Sequence, residues 1–126
     1  MVDRTSQEKS NHEQLIKAMI RHLEEKEKFN SIRADLPGSQ FPMPEIIEGH
    51  IPDIVALKIS ETCIVEAETC DTISHPHTEE QWRAFAKAAS RPNTSFRIIV
   101  PNACEQKARE RVGELGITAS IWTLEL

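Results

Sequence analysis

Long apolar runs are missing from this sequence. Its hydrophobic stretches are far shorter than the roughly 20 residues that a membrane-spanning helix needs, so no membrane association is expected. The first residues, MVDRTSQEKSNHEQ, also lack the apolar segment and the small residues of a secretory signal. We therefore expect a cytoplasmic protein.

Cysteine is scarce. The chain has three cysteines, Cys63, Cys70 and Cys104, and no CxxC pair. An odd number without paired spacing argues against a disulfide framework and favours reduced thiols. The spacing of Cys70, His75 and His77 matches no common zinc site, so we place these residues in a loop without metal.

Several enzyme motifs are also missing. There is no GxxxxGK[ST] loop, no GxGxxG after a strand and no GxSxG elbow, so nucleotide triphosphate use and serine hydrolysis are unsupported. The sequence has no internal repeat or low-complexity tract. Its 126 residues suit a single domain over 1–126, with residues 1–10 flexible.

Acidic side chains are concentrated in the middle of the chain. Residues 41–80 carry nine acidic side chains and one basic side chain, Lys58. The net charge of −5 disfavours a broad phosphate-binding surface, because affinity for nucleic acid depends on neutralised phosphates. A basic rim around an acidic centre that holds a cation is compatible with this distribution.

Hydrophobic periodicity predicts an α/β fold, with a mixed sheet flanked by helices. The predicted elements are a helix over 11–28, strands over 29–34, 53–59 and 63–69, a helix from about 78 to 90, a strand over 95–101, a helix over 104–115 and a strand over 117–126. A right-handed crossover would place 95–101 parallel to 63–69.

Three acids lie on the predicted hairpin, 52-PDIVALKISETCIVEAET-69. A two-residue turn at Ser60-Glu61 would place Asp53 opposite Glu68. Because opposed residues and residues two apart share a face, Asp53, Glu66 and Glu68 would lie on one face, within roughly 5–8 Å of one another. A three-residue loop would reverse this parity.

Carboxylates in such an arrangement destabilise a sheet unless a proton or a cation neutralises them. Mg²⁺ or Mn²⁺ would suit the site, because both prefer oxygen ligands. Such an ion can lower the pKa of a bound water and stabilise charge on a phosphate oxygen, which favours phosphodiester hydrolysis. Hydrated acids at strand ends are the structural alternative.

The motifs resemble those of the PD-(D/E)xK nuclease superfamily, in particular the archaeal Holliday junction resolvases and their restriction-endonuclease-like relatives. Pro52-Asp53 matches the PD element, and 64-IVEAE-68 stands where the family has an apolar strand carrying (D/E)-x-K. The order of elements over roughly 11–124 is also similar. The resemblance implies a restriction-endonuclease-like core, αβββαβ, followed here by a helix and a strand.

The resemblance also implies roles for individual residues. Asp53 and Glu66 would be metal ligands, and the carbonyl of Ala67 would add another oxygen. Glu13 would be an accessory acid on the first helix, and Gln81 would be a polar group at the start of the second.

Glu13 and Gln81 also have a structural interpretation. Ser10 precedes Glu13 by three residues, and Thr78 precedes Gln81 by three, so each pair has the pattern of a capping box. In that case both side chains would stabilise helix starts.

Glu68 departs from the family pattern, because it stands where the family has a lysine that is thought to orient or activate the attacking water. A base from elsewhere would replace this lysine, with Lys87 or Arg83 on the second helix as candidates, and Lys58 only if a bulge intervenes. Alternatively, the site is inactive, or Glu68 is a third metal ligand in a variant site.

The leading hypothesis is a Mg²⁺- or Mn²⁺-dependent DNA endonuclease, with Asp53, Glu66, Glu68 and Gln81 in its catalytic centre. A homodimer is expected, because one unit of this size offers little surface for a duplex. The runner-up is a protein that keeps the fold without the chemistry and binds nucleic acid or protein. A third possibility is an unrelated α/β binding protein whose acids point apart.

Overall fold

The structure, a computed structural model, describes residues 5–126 and confirms the predicted order of helices and strands. The elements are α1 (Ser6–Glu25), β1 (Ser31–Ala34), β2 (Ile54–Lys58), β3 (Glu61–Ala67), α2 (Pro76–Ala88), β4 (Thr94–Pro101), a 3-10 turn (Asn102–Cys104), α3 (Glu105–Leu115) and β5 (Ser120–Leu124). None of the helices within the described range has the length and apolar character needed to cross a membrane.

The five strands form a mixed sheet with helices on both faces. Their order is β1-β2-β3-β4-β5. Strand β2 is antiparallel to both β1 and β3, and strand β4 is parallel to both β3 and β5. The predicted α/β class and the parallel pairing of β3 with β4 are confirmed.

Two apolar layers cover the faces of the sheet. Helix α1 packs on one face through a buried stripe of Leu15, Ile16, Met19, Ile20 and Leu23. Helices α2 and α3 cover the other face, where Trp82 and Phe85 are fully buried. Alternation along β3 sends Val65 to the α1 side and Ile64 to the α2 side, so Glu66 and Glu68 have the parity of the α2 side.

The start of α1 differs from the prediction. Thr5 caps the helix, since its hydroxyl accepts a hydrogen bond from the N–H of Glu8 at 3.1 Å and the Glu8 carboxylate accepts one from the N–H of Thr5 at 3.0 Å. The pattern T-x-x-E occurs here as well as at Ser10, and the longer helix is the one that forms. Residues 6–10, predicted to be flexible, belong to α1, and residues 1–4 lie outside the described residues.

The start of α2 also differs from the prediction at Thr78. The helix begins at Pro76, because proline is favoured in a first turn and the ring of His75 caps it by accepting a hydrogen bond from the N–H of His77 at 3.1 Å. Thr78 is instead a buried residue of the first turn. Gln81 therefore does not complete a capping box.

The hairpin turn lies one residue earlier than predicted. Lys58 pairs with Glu61, so Ile59 and Ser60 form the two-residue turn and the register shifts by two residues. The prediction failed because Ile59 has the apolar character of a strand residue, yet it is fully exposed in the turn. A shift of two keeps the parity, and continuing the observed register places Asp53 beside Glu66 rather than Glu68.

The prediction of reduced thiols is wrong for two cysteines. Cys70 and Cys104 form a disulfide with their Cα atoms 5.3 Å apart, whereas Cys63 is a free, buried thiol whose pKa is raised by burial. Cys70 follows the end of β3, and Cys104 follows the end of β4. Because the carboxyl ends of parallel neighbours meet at one edge of a sheet, two cysteines distant in sequence come together.

Candidate active site

Asp53 and Glu66 lie together where β2 begins and β3 ends. The backbone N–H of Asp53 donates to Glu66 Oε1 at 2.8 Å, and the backbone N–H of Ala67 donates to Asp53 Oδ2 at 2.8 Å. These reciprocal hydrogen bonds close the open end of the hairpin. They also bring the two acids of the predicted metal site to one edge of the sheet.

His12, on α1, is a basic side chain in contact with Asp53. Its Nε2 lies 3.2 Å from Asp53 Oδ2, and both side chains are largely buried. Because a carboxylate oxygen only accepts hydrogen bonds, the proton in this contact is on Nε2. His12 was not predicted as a site residue, although it lies one helical turn before Ile16 and so continues the apolar stripe of α1.

Asp35 is a further acid at this edge that was not predicted. Its backbone N–H donates to the carbonyl of Asp53 at 2.8 Å. Burial and the charge of Asp53 raise the pKa of the Asp35 carboxyl, against the lowering effect of His12. The edge therefore concentrates negative charge that a cation would stabilise.

Glu68 is buried and bound on the α2 side of the sheet. It is 2% exposed, accepts a hydrogen bond from the hydroxyl of Thr72 at 2.5 Å and accepts one from the indole N–H of Trp82 at 3.3 Å. These contacts tie the end of β3 to α2 and to the loop between them. Glu68, predicted to be catalytic, thus has a position typical of a structural acid.

Glu13 and Gln81, the other predicted site residues, lie on α1 and α2. Glu13 is exposed on α1, and Gln81 is partly buried on α2. Within residues 5–126, neither side chain is among the hydrogen-bond partners of Asp53. Their predicted roles as accessory acid and polar site group have no support from this geometry.

The basic side chains considered as replacements for the family's lysine bind other groups. Lys87 pairs with Glu48 at 3.1 Å. Arg83 pairs with Glu79 at 3.0 Å and donates to a backbone carbonyl of α3 at 3.2 Å. Lys58 donates to the carbonyl of Glu27 at 2.7 Å. In the part of the chain that the structure describes, His12 is the basic side chain that contacts Asp53.

The alternative of a zinc site in the loop before α2 is not supported. Cys70 is disulfide-bonded, so its sulfur is not a thiolate ligand. His75 caps α2, and the ring of His77 packs edge-on against His50 with 5.9 Å between centroids. These contacts give all three residues structural roles.

The carboxylates of Asp53 and Glu66 are oxygen ligands of the kind that a hard cation prefers, but they are not a complete set of metal ligands. Within residues 5–126, no group of three or more His, Cys, Asp or Glu side chains is arranged to hold a metal ion. Mg²⁺ needs few protein ligands, because it keeps several waters and is commonly held by one or two carboxylates together with phosphate oxygens. The carboxylate of Asp53 accepts hydrogen bonds from His12 and from the N–H of Ala67 at the same oxygen, Oδ2, and no described residue donates to Oδ1. The pair of Asp53 and Glu66 is therefore compatible with Mg²⁺ or Mn²⁺.

Comparison of the chain with protein-family models, with curated proteins and with solved structures found no match.

Proposed function

We propose that this protein is a Mg²⁺- or Mn²⁺-dependent DNA endonuclease with a restriction-endonuclease-like core. The observation that supports this most is the junction of Asp53 and Glu66, two acids from neighbouring strands whose positions match the PD and (D/E)xK motifs. The element order, a helix, three strands, a helix and a strand before the last helix and strand, is the order that the resemblance implies.

Asp53 and Glu66 would hold the ion, with the carbonyl of Ala67 as a further oxygen, and the bound ion would supply an activated water and neutralise charge on a phosphate oxygen. The chain's own groups keep these acids in place. The N–H of Ala67 fixes Asp53 Oδ2, and the N–H of Asp53 fixes Glu66 Oε1. His12 donates its Nε2 proton to Asp53 Oδ2 and offsets part of the negative charge.

Metal binding is tested first, by titrating the purified protein with Mn²⁺ in a calorimeter. Asp53→Asn keeps an oxygen that can accept from Ala67 and His12, so the variant should fold while its affinity for Mn²⁺ falls by more than about tenfold. Glu45→Gln, which removes an exposed acid from the loop before β2, is the matched control and should bind like the parent protein. Equal binding by the parent protein and Asp53→Asn would reject the site.

A second candidate function is a binding module without catalysis. Burial of Glu68 between Thr72 and Trp82 favours it, because the position of the family's lysine then contributes no cation to the acids. Branched, linear and single-stranded DNA incubated with the protein and Mn²⁺ separates the two functions. Cleavage that Asp53→Asn abolishes supports the endonuclease, whereas binding that leaves every substrate intact supports the module.

The expected homodimer belongs to the same proposal. A single unit of this size covers little of a duplex, whereas two copies related by a two-fold axis match the pseudo-symmetry of DNA. Sedimentation velocity with and without DNA tests this. A monomer under both conditions would contradict the homodimer.

A further inference from the structure

The disulfide joins two loops at the edge of the sheet where the candidate acids lie. Cys70 is in the connection between β3 and α2, and Cys104 ends the 3-10 turn after β4. Glu66 and Ala67 are the last residues of β3. Cys70 therefore follows closely on the end of β3, the strand that carries Glu66.

The segment from residue 68 to residue 75, which we call the 68–75 loop, is held by hydrogen bonds within a short stretch of chain. The N–H of Thr72 donates to the carbonyl of Thr69, and the N–H of His75 donates to the carbonyl of Thr72, both at 3.1 Å. The side chains of Thr72 and Trp82 bind the Glu68 carboxyl. The disulfide ties this loop to the turn before α3, so the position of Glu68 depends on a covalent bond as well as on hydrogen bonds.

The two sulfurs differ in their access to solvent. Cys70 is partly exposed, whereas Cys104 is buried, and Cys63 is buried on the opposite face of the sheet. Lys107 donates to the carbonyl of Cys70 at 2.7 Å, which places an ammonium group beside this residue. A soluble thiol would therefore reach the disulfide from the side of Cys70.

We propose that Cys70–Cys104 is a reversible redox switch that sets the order of the 68–75 loop and the attachment of Glu68 to Trp82. One thiolate of a dithiol reductant attacks the Cys70 sulfur, the S–S bond breaks, and Cys104 leaves as a thiolate that takes a proton. The second thiol of the reductant then displaces Cys70 and forms the reductant's own disulfide, so two electrons pass to the protein. In the dithiol form the 68–75 loop loses its tie to the turn before α3.

This inference does not rest on the proposed nuclease function, because its readouts are loop order and the environment of Trp82. Its physical basis is that a connecting loop opens locally when it loses a restraint, while the strands that it joins stay protected. A reducing compartment would favour the open form, and an oxidising one would favour the closed form.

Hydrogen exchange measured by mass spectrometry tests the proposal on the full chain. The oxidised protein and the same protein reduced with dithiothreitol are compared in a Cys63→Ala background, so that no third thiol exchanges. We expect amide exchange in residues 69–75 to accelerate by about tenfold or more on reduction and to return on reoxidation. Peptides from the central strands β3 and β4 are the internal reference and should remain the slowest to exchange in both redox states.

Fluorescence gives a second readout that needs no cysteine substitution. Trp122→Phe leaves Trp82 as the only indole. Its emission should shift to longer wavelength on reduction, because the contact of Trp82 with Glu68 loosens in the dithiol form.

A cysteine variant gives an independent control. Cys104→Ser should show the reduced-state exchange and emission with or without dithiothreitol. If Cys104→Ser does not fold, reduction and reoxidation of the parent chain still decide the question.

Three results would overturn the proposal. Identical exchange and emission in both redox states would make the disulfide a passive brace. Exchange of residues 69–75 in the reduced protein at the same rate as β3 and β4 would mean global unfolding rather than a local switch. A disulfide that dithiothreitol cannot reduce in the folded protein would not be a switch under any cellular condition.

Discussion

Arg97 is a charged residue in the core of the sheet, and its partners show how this charge is accommodated. It lies on β4, is 8% exposed, and donates two hydrogen bonds to Glu27, at 2.6 and 2.7 Å. Its guanidinium stacks over the ring of Trp122, 4.5 Å from the centroid. His22 lies 2.8 Å from the same carboxylate of Glu27. The ion pair thereby connects the segment after α1 to β4. The stacking of Arg97 on Trp122 connects β5 to the same cluster of side chains.

The first prediction concerns the pH dependence of this ion pair. Hydrogen bonds from Arg97 hold the pKa of Glu27 below its usual value of 4.5, so its stabilising effect is present above that pH and is lost as the pH falls through the lowered pKa. Glu27→Gln should lower the free energy of unfolding by about 1–3 kcal/mol at pH 7. Urea denaturation should show this difference shrinking below pH 4.5. The exposed neighbour Glu25, changed to Gln, is the control and should have little effect at either pH. A constant difference between pH 7 and strongly acidic pH would contradict the assignment.

The second prediction concerns the buried carboxyl of Glu68. Trp82→Phe removes the indole N–H while keeping an aromatic ring, and should lower the free energy of unfolding by about 1–3 kcal/mol, because a buried acceptor loses a donor. The same change in a Glu68→Met background should cost less. The difference between the two costs, measured in a double-mutant cycle by denaturation, is the coupling between the side chains. Equal costs in both backgrounds would show that the hydrogen bond does not contribute.

At the site, the sequence predicted the residues whose positions follow from local alternation and missed those that depend on contacts between distant segments. Asp53 and Glu66 share a side because the turn has two residues, and an even shift in register does not change this parity. His12 and Asp35 reach Asp53 from α1 and from the end of β1. No local pattern specifies which side chain of a helix meets which strand end, so neither contact was available from spacing alone.

The two glycines of α3 allow a test at the scale of a single helix. Gly116 ends α3 with φ at 65°, a conformation that L-residues with a side chain rarely adopt, whereas Gly113 has helical backbone within the last turn. A Cβ at either position would have open space, so the backbone conformation alone distinguishes them. Gly116→Ala should lower the free energy of unfolding by about 1 kcal/mol, and Gly113→Ala should raise it by up to about 1 kcal/mol. Thermal denaturation of both variants measures this. A stabilising Gly116→Ala would rule out the left-handed cap.

Element order was predictable because each helix and strand has its own hydrophobic period, but element boundaries were not. Two T/S-x-x-E patterns occur before the stripe of α1, and local sequence does not choose between them. In α2, Pro76 was the better signal for the first turn than Thr78, since proline has no N–H to satisfy. At the hairpin tip, exposed Ile59 imitated a strand residue. Each error arose at an element boundary where the local sequence is compatible with more than one position.

At the scale of the whole molecule, the disulfide was the feature that needed the topology. Cys70 and Cys104 are 34 residues apart and show no paired spacing. They come together only because β3 and β4 are parallel neighbours and each cysteine follows its strand by the same number of residues. The predicted strand over 63–69 ends two residues later than the observed β3, so the equal offsets of the cysteines are visible only in the observed strand bounds.

The last prediction is the contribution of this bond to the stability of the whole chain. In the chain-entropy account, a cross-link over this separation stabilises the folded state by about 3–4 kcal/mol, chiefly by restricting the unfolded chain. A folded domain typically has about 5–15 kcal/mol of stability, so the reduced protein should remain folded at 25 °C with a lower denaturation midpoint. Cys104→Ser and the parent protein in dithiothreitol should unfold at the same urea concentration, and dithiothreitol should have no effect on Cys104→Ser. If dithiothreitol shifts the midpoint of Cys104→Ser as well, the loss of stability comes from somewhere other than the Cys70–Cys104 bond. If it shifts neither protein, the bond does not restrict the unfolded chain as the loop length requires.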